Sequence, residues 1–129
     1  MPAYSPEELY EVFTKHFSSG NLEELLSLYE PGATLLPLGE SPVSGLENLK
    51  TAFRGFLAVK PHLDLTIKKV IRSGDLALVL AAWTLKGNDP ESGDLIERYG
   101  QTSDVVRRQP DGTWLLVIDV PYGAAVVNE

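Results

Sequence analysis

Apolar residues recur at helical spacing in the first half of the chain. The first apolar stripe begins after residues 5–8 (Ser-Pro-Glu-Glu) and ends at residues 18–20 (Ser-Ser-Gly). The opening combines an N-cap serine, a proline at the first helical position and a capping-box glutamate. Glycine commonly ends helices because it adopts the left-handed conformation without strain. The pattern therefore predicts a first helix between these two signals.

Two further helices are predicted before the strands begin. Asn21 with Glu24 repeats the capping signal and predicts a short helix that carries Tyr29 on its apolar stripe and stops at 31–32 (Pro-Gly). A third stripe over 46–57 has apolar residues on one face and predicts the third helix.

The second half of the chain reads as strands separated by turn residues. Alternation of apolar and polar positions is typical of strands, and it slips between Ile67 and Val70, which indicates a bulge or a strong twist. Helices followed by a run of strands indicate an α+β domain with the helices on one face of the sheet. The predicted strands are 33–36, 63–72, 76–86, 95–109 and 114–120.

Composition narrows the classes of function. With 129 residues the chain forms one domain, 1–129. The net charge of −7 argues against nucleic acid and anionic membranes as partners. The absence of cysteine excludes disulfides, thiolate catalysis and zinc–cysteine sites. No signal peptide or membrane-length apolar run is visible, so a cytoplasmic location is expected.

Two predicted strands bear on assembly. Residues 76–83 and 114–118 are apolar at both odd and even positions, whereas a strand with one wet face alternates. Three helices cover only one face of a sheet. The sequence therefore predicts a homodimer that buries the other sheet face, with a strongly curled sheet around its own core as the alternative.

Four short stretches carry a resemblance that covers most of the chain. They lie at 17–22, 28–34, 44–49 and 111–114, and each is a turn or a cap. In this order and spacing they resemble the nuclear transport factor 2-like superfamily, in its SnoaL-like and ketosteroid isomerase-like branch. The resemblance implies a cone-shaped, strongly curved antiparallel sheet with three N-terminal helices enclosing a pocket (a cystatin-like α+β roll), usually in a dimer. Its members include isomerases, cyclases, dehydratases, hydrolases and binding modules, so the fold alone selects no function.

Catalytic residues of ketosteroid isomerases carry over poorly. The resemblance implies a carboxylate base, a helix tyrosine and a protonated aspartic acid. The base position falls on Pro37 and the tyrosine position on Phe13, and neither side chain can take the role. The later acid falls near Asp104. Steroid isomerisation by that mechanism is therefore not expected.

Two aspartates remain as candidate general acid or base residues. Asp119 lies in an otherwise apolar strand, and an inward orientation would raise its pKa by desolvation. The alternative places Asp119 at the strand end, hydrogen-bonded to Tyr122 or nearby backbone. Asp104 is either a pocket acid or a solvated residue opposite an arginine. The candidate catalytic residues are Asp104 and Asp119.

Candidate ligand-binding residues are aromatic or polar side chains near the predicted pocket. Tyr99 and Gln101 lie on one face of their strand and Asp104 on the other, and periodicity does not decide which face lines the pocket. Trp83 is either a stacking surface for a flat ligand or simple core, and Tyr10 either faces the pocket or packs half-exposed. The candidates are Tyr10, Phe13, Phe53, Trp83, Tyr99 and Gln101.

Two hypotheses about function follow. The first is a binding domain for a small apolar or aromatic ligand; the second is a cofactor-independent isomerase, cyclase or dehydratase that uses a pocket aspartate. No metal or cofactor is expected, because His16 and His62 share no ligand spacing and the carboxylates are scattered. His16 on the first apolar stripe is interpreted as a satisfied core residue, and His62 as an exposed loop residue.

Overall fold

The first helix begins and ends at the caps that the sequence predicts, and the second begins at its predicted cap. The computed structural model describes residues 2–128. The Ser5 hydroxyl accepts the backbone N–H of Glu8 at 3.1 Å, and Gly20 closes the first helix with a φ of 72°. Asn21 caps the second helix by accepting the N–H of Glu24. The helices are α1 (Pro6–Ser19), α2 (Leu22–Leu26) and α3 (Leu46–Leu57).

Six strands form one sheet in the order β2-β1-β6-β5-β4-β3. Neighbouring strands are antiparallel except β1 and β6, which pair in parallel, a pairing that the sequence pattern did not predict. A short 3₁₀ helix, Gly123–Asn128, follows the last strand. Within residues 2–128, no helix is long and apolar enough to cross a membrane. The strands are β1 (Tyr29–Leu35), β2 (Val43–Ser44), β3 (His62–Ser73), β4 (Leu76–Asn88), β5 (Leu95–Arg108) and β6 (Trp114–Asp119).

Register shifts curve this sheet around the helices. The β3–β4 register shifts between Ile67 and Lys69, which confirms the predicted bulge. A second shift lies opposite Val105 and Val106, where β5 pairs with β6. Bulges bend the strand that carries them and increase its twist. The sheet therefore curls without closing, and its concave face receives α1 and α3.

The core lies between this concave face and the helices. Leu9 of α1 and Leu49 and Phe53 of α3 are almost fully buried against Val79 and Leu116 of the sheet. Burying each such side chain contributes about 1.5–3 kcal/mol. Exposed apolar side chains, among them Ile71, Leu78 and Ile118, lie on the opposite, convex face. The predicted α+β fold is confirmed, with three helices on one side of a curled sheet.

The second helix and the first strand differ from the prediction. The helix ends at Leu26, and Tyr29 begins β1 instead of lying on a helix. Tyr29 pairs with Leu116, and the β1–β6 register then shifts before Thr34. The segment 31–32 lies inside this shift, where a proline without an N–H breaks no ladder hydrogen bond. The Pro-Gly pair is therefore accommodated within the strand and does not terminate a helix.

Candidate functional site

A largely apolar cavity of about 350 Å³ lies between α1, α3 and the concave face of the sheet. Aromatic and aliphatic side chains form most of its wall, and two carboxyl groups, Asp104 and Asp119, lie at its buried end. Gly55 and Arg98 are lining residues that are exposed to solvent, so they mark the open end. A concave apolar site with a few converging polar groups is typical of small-molecule binding sites.

Asp104 points from β5 into the cavity and is only 2% exposed. One of its carboxyl oxygens accepts the Tyr10 hydroxyl from α1 at 2.5 Å. The other accepts the backbone N–H of Val120 at 2.7 Å, just past the end of β6. Three separate elements therefore hold this carboxyl group in one orientation.

Asp119 is the last residue of β6 and is also buried, at 6% exposure. Its carboxyl group accepts the hydroxyl of Tyr29, the first residue of β1. Its backbone carbonyl accepts the N–H of Leu36 at 2.9 Å, beyond the end of β1. The parallel β1–β6 pairing thus supplies both the side-chain and the backbone partner of Asp119.

The two carboxyl groups form one titrating pair. Burial and the neighbouring Asp119 charge raise the pKa of Asp104 well above its usual range. Burial also raises the pKa of Asp119, while hydrogen bonds from Tyr29 and Asp104 oppose that rise. Like charges this close in an apolar cavity ionise together only at high cost. For both aspartates, the protonated form is therefore favoured relative to an exposed aspartate.

The two tyrosines stay hydrogen-bond donors. Burial, followed by the charges of the neighbouring aspartates, raises the pKa values of Tyr10 and Tyr29 well above the ordinary value of a phenol. Both hydroxyls therefore remain protonated beside the carboxyl pair. Each aspartate has its own tyrosine, and the two tyrosines come from a helix and a strand.

An indole ring forms one wall of the cavity. The Trp83 Nε1–H donates to the carbonyl of Pro121 at 2.8 Å, and Tyr122 meets the indole edge-on with ring centroids 5.3 Å apart. The ring lies close over Gly100, where an added Cβ atom would come within 2.7 Å of it. The Thr102 hydroxyl donates to the same Pro121 carbonyl at 3.2 Å. Glycine at position 100 thus leaves room for the indole against β5.

Most of the predicted site residues meet at this cavity. Tyr10, Phe13, Phe53 and Trp83 all line it, together with the aspartate pair. Their predicted roles in ligand binding and catalysis stay predictions.

Tyr99 and Gln101 do not reach the cavity. They share the opposite face of β5 from Asp104, and Tyr99 is 82% exposed. The strand alternates, so only the face that carries Arg98, Gly100, Thr102 and Asp104 lines the cavity.

Other predicted positions are also placed. Asp119 bonds Tyr29, not Tyr122, and Asp104 is buried instead of solvated beside an arginine. His62 is exposed, as predicted. His16 is not a satisfied core residue, because its buried Nε2 has no hydrogen-bond partner within residues 2–128.

The sequence interpretation missed Tyr29 as a site residue. Its spacing from Leu25 and Leu26 fits a helical stripe, so it was assigned to the packing of a helix. Pro31 and Gly32 carry a signal for the strand, because helix breakers two and three positions after Tyr29 are equally consistent with a strand that begins at Tyr29. The contact with Asp119 spans 90 positions, and no local pattern reports such a distance.

The described residues hold no cluster of three or more His, Cys, Asp or Glu side chains that fits a metal ion. Besides the indole of Trp83, the described polar side chains that line the cavity are Tyr10, Arg98, Thr102, Asp104, Asp119 and Tyr122.

The sequence of this chain matches one known protein family over most of its length. The SnoaL-like domain family matches the chain over residues 7–117. The chain belongs to the SnoaL-like domain family. No curated protein matches its sequence.

Solved structures share the fold at low sequence identity. A ketosteroid isomerase-like protein from Erwinia carotovora atroseptica is 17% identical, with 88% of this chain and 89% of that one covered and a TM-score of 0.80. A proposed scytalone dehydratase from Novosphingobium aromaticivorans is 18% identical, with 88% and 78% covered and a TM-score of 0.79. An NTF2-like family protein from Streptomyces avermitilis, described as a proposed dehydratase, is 21% identical, with 90% and 93% covered and a TM-score of 0.73. At these identities the likeness establishes the fold alone, and function is argued from the site.

Proposed function

We propose that this protein is a cofactor-independent enzyme that moves a proton on a small, largely apolar molecule bound in the cavity. The observation that carries the proposal is the buried pair Asp104 and Asp119, each hydrogen-bonded to a tyrosine, at the closed end of an apolar cavity. Buried titratable pairs with perturbed protonation are typical of acid–base sites. Similarity to an isomerase-like protein and to proposed dehydratases is consistent with this class of chemistry.

The environments of the two carboxyl groups suggest distinct roles. In this proposal Asp119 is the charged member of the pair, since hydrogen bonds from Tyr29 and Asp104 lower its pKa against the rise caused by burial. It is therefore the candidate base. Asp104 retains its proton and is the candidate acid, which would donate to an oxygen of the substrate as negative charge develops there. After the transfer Asp119 carries a proton and Asp104 a charge. Movement of that proton from Asp119 to Asp104 restores the starting pair.

Proton exchange on a probe ketone tests this chemistry directly. The probe is 2-tetralone, a small bicyclic ketone whose α-hydrogens are acidic enough to report weak base catalysis. In D₂O, ¹H NMR follows loss of the α-hydrogen signal with and without protein. We expect the wild-type protein to accelerate exchange saturably. Because general acid–base catalysis typically contributes about 10²–10⁴-fold, Asp119→Asn is expected to lose most of the acceleration.

Two controls make the result decisive. Asp94→Asn removes an exposed carboxyl group in the loop between β4 and β5, and exchange should stay at the wild-type rate. Far-UV circular dichroism and thermal melting establish that the Asp119→Asn variant is folded. Equal exchange rates in Asp119→Asn and in the wild type would overturn the role of the base. No acceleration by the wild type, despite measurable binding of the ketone, would overturn the enzymatic proposal.

A binding domain without turnover is the second candidate. One observation favours it: both oxygens of Asp104 already accept internal hydrogen bonds, from Tyr10 and Val120, and Asp119 is engaged by Tyr29. A fully satisfied pair can serve as a rigid polar cap at the end of a binding cavity. Saturable binding of 2-tetralone with no exchange is the expected result for this function.

We also propose that two copies pair through the convex sheet face. Its support is a row of apolar side chains in mutual register across four strands: Ile71, Leu78, Val105 and Ile118. Large apolar patches on a protein surface commonly mark interaction sites. The cytoplasmic location stays a prediction.

A further inference from the structure

Within the described residues, Arg98 differs from three other arginines of the sheet in having no carboxylate partner. Arg72, Arg107 and Arg108 pair with Glu7, Glu30 and Asp75 at 2.7–2.9 Å. Within residues 2–128, Arg98 has no ion pair. Its Nη1 donates only to the backbone carbonyl of Glu97, at 2.8 Å. A guanidinium has five N–H donors, so most of those of Arg98 are available to a ligand.

The position of Arg98 places it at the mouth of the cavity. Arg98 lies on the same face of β5 as Asp104 and lines the open end. It precedes Asp104 by six positions, which at about 3.3 Å per residue separates their Cα atoms by about 20 Å. The cavity therefore has a carboxyl pair at the closed end and a cation at the mouth, separated by apolar wall.

The acidic surroundings make Arg98 the favoured place for an anionic group in the cavity. The protein carries a net charge of −7, and the aspartates add acidity to the closed end. Among the described lining residues, Arg98 alone is a Lys or Arg. The aliphatic side chains of Leu85 and Ile96 lie near it on the same wall. An anionic group therefore has one favourable place in the cavity, beside Arg98.

We propose that the ligand is an elongated apolar molecule with a single carboxylate, which Arg98 binds at the mouth while the apolar body reaches toward Asp104 and Asp119. This inference deepens the proposed function and rests on it for the use of this cavity. A planar guanidinium matches a carboxylate with two parallel hydrogen bonds. One cation also balances one negative charge, whereas a phosphate dianion would keep an excess charge, because the described lining has no second Lys or Arg.

A matched pair of probes tests the charge requirement. Biphenyl-4-carboxylate and biphenyl-4-carboxamide are both elongated and nearly equal in shape, but only the first is an anion at neutral pH. Isothermal titration calorimetry at low ionic strength measures their dissociation constants for the wild-type protein. Hydrogen bonds to charged groups support a preference of about tenfold or more for the carboxylate. The preference is expected to shrink as salt is added.

Two variants assign the preference to Arg98. Arg98→Gln is expected to bind the carboxylate and the carboxamide equally, because it removes the charge and leaves the exposed strand position polar. Arg54→Gln removes an exposed cation on α3 that does not line the cavity, and it should keep the wild-type preference. Thermal melting verifies that both variants are folded. Arg98→Lys should keep a reduced preference, since lysine retains the charge without the fork.

Each outcome bears on the proposal. A carboxylate preference that is lost in Arg98→Gln and kept in Arg54→Gln supports it. Equal binding of the two probes to the wild type, no binding of either, or a preference that survives Arg98→Gln overturns it. Failure of the proposed enzymatic function is a separate result: the proton-exchange rate of 2-tetralone tests the aspartates, whereas these titrations require no turnover.

Discussion

Asp104 is buried in a cavity that disfavours its charge. Its burial therefore makes the free energy of unfolding depend on pH. Its pKa in the folded protein lies well above 3.8, mainly because of burial and then the Asp119 charge. The folded state therefore keeps a proton that the unfolded chain releases from about pH 4 upward. Stability from this group is present at low pH and declines as pH rises toward the folded pKa.

The substitution Asp104→Asn is expected to make this decline shallower. Asparagine is never charged; its carbonyl oxygen can accept the Val120 N–H while its amide N–H donates to the Tyr10 hydroxyl, which then acts as the acceptor. Free energies of unfolding from urea titrations between pH 4 and 8 measure the effect. We expect the two proteins to be similar near pH 4 and the variant to be the more stable one at pH 8. A variant that becomes progressively less stable than the wild type would mean that Asp104 is ionised in the folded state.

Each tyrosine lowers the pKa of its own aspartate, so removing either hydroxyl should raise the pKa of a different carboxyl group. Tyr29→Phe deletes a hydrogen bond that lowers the pKa of Asp119, so that pKa should rise. Tyr10→Phe deletes the corresponding bond to Asp104, so the pKa of Asp104 should rise further. Carboxyl ¹³C chemical shifts, followed from pH 3 to 9 in aspartate-labelled protein, report both groups. A titration unchanged by either substitution would contradict the hydrogen bonds described here.

The indole of Trp83 packs against strand β5 at Gly100, where no side chain occupies the space. A Cβ atom there would lie 2.7 Å from the ring, closer than van der Waals contact permits. Gly100→Ala therefore forces Trp83 to move and strains its hydrogen bond to Pro121. Overpacking of this kind costs about 1–3 kcal/mol. Urea unfolding measures the loss, and the displaced ring should also alter near-UV circular dichroism.

Gly55 provides the control for this substitution. It lies on helix α3, and an added Cβ atom would meet nothing within 4 Å. Alanine there is expected to stabilise the protein by up to about 1 kcal/mol, because glycine is the poorer helix former. If Gly100→Ala proved as harmless as Gly55→Ala, the indole would not be packed against β5.

How far the sequence predicts these elements depends on whether the signal is local. Caps at Ser5 and Asn21 and the bulge near Ile67 are local, and the structure confirms each one. The sequence does not decide the inward face of β5, because its two faces are about equally polar and only packing against the helices selects one. Tyr29 was assigned to a helix because its neighbours fit both periods. Its role depends on a parallel pairing with β6 that brings distant parts of the chain together.

At the scale of the whole molecule, the fold gives two surfaces of different character. Helices cover the concave face, which encloses the cavity and the carboxyl pair. The convex face leaves Ile71 at 50%, Leu78 at 37% and Ile118 at 41% exposed. Val105 of β5 lies between Leu78 and Ile118, so the apolar positions form a continuous row across β3, β4, β5 and β6. Burying such a patch against another protein surface removes it from water, which is favourable in proportion to its apolar area.

The convex patch is the basis for the proposed dimer, and Leu78→Lys tests it. Leu78 lies inside the apolar row, between Ile71 and Val105, so a dimer axis near this row would bury position 78 in both copies. An unpaired buried ammonium group is strongly unfavourable, and the variant should sediment as a monomer where the wild type sediments as a dimer. Analytical ultracentrifugation over a range of concentrations measures this. Leu38→Lys changes an exposed leucine in the loop after β1 and should leave the dimer intact. A wild-type protein that remains monomeric at high concentration would contradict the proposal and leave the apolar row exposed to solvent.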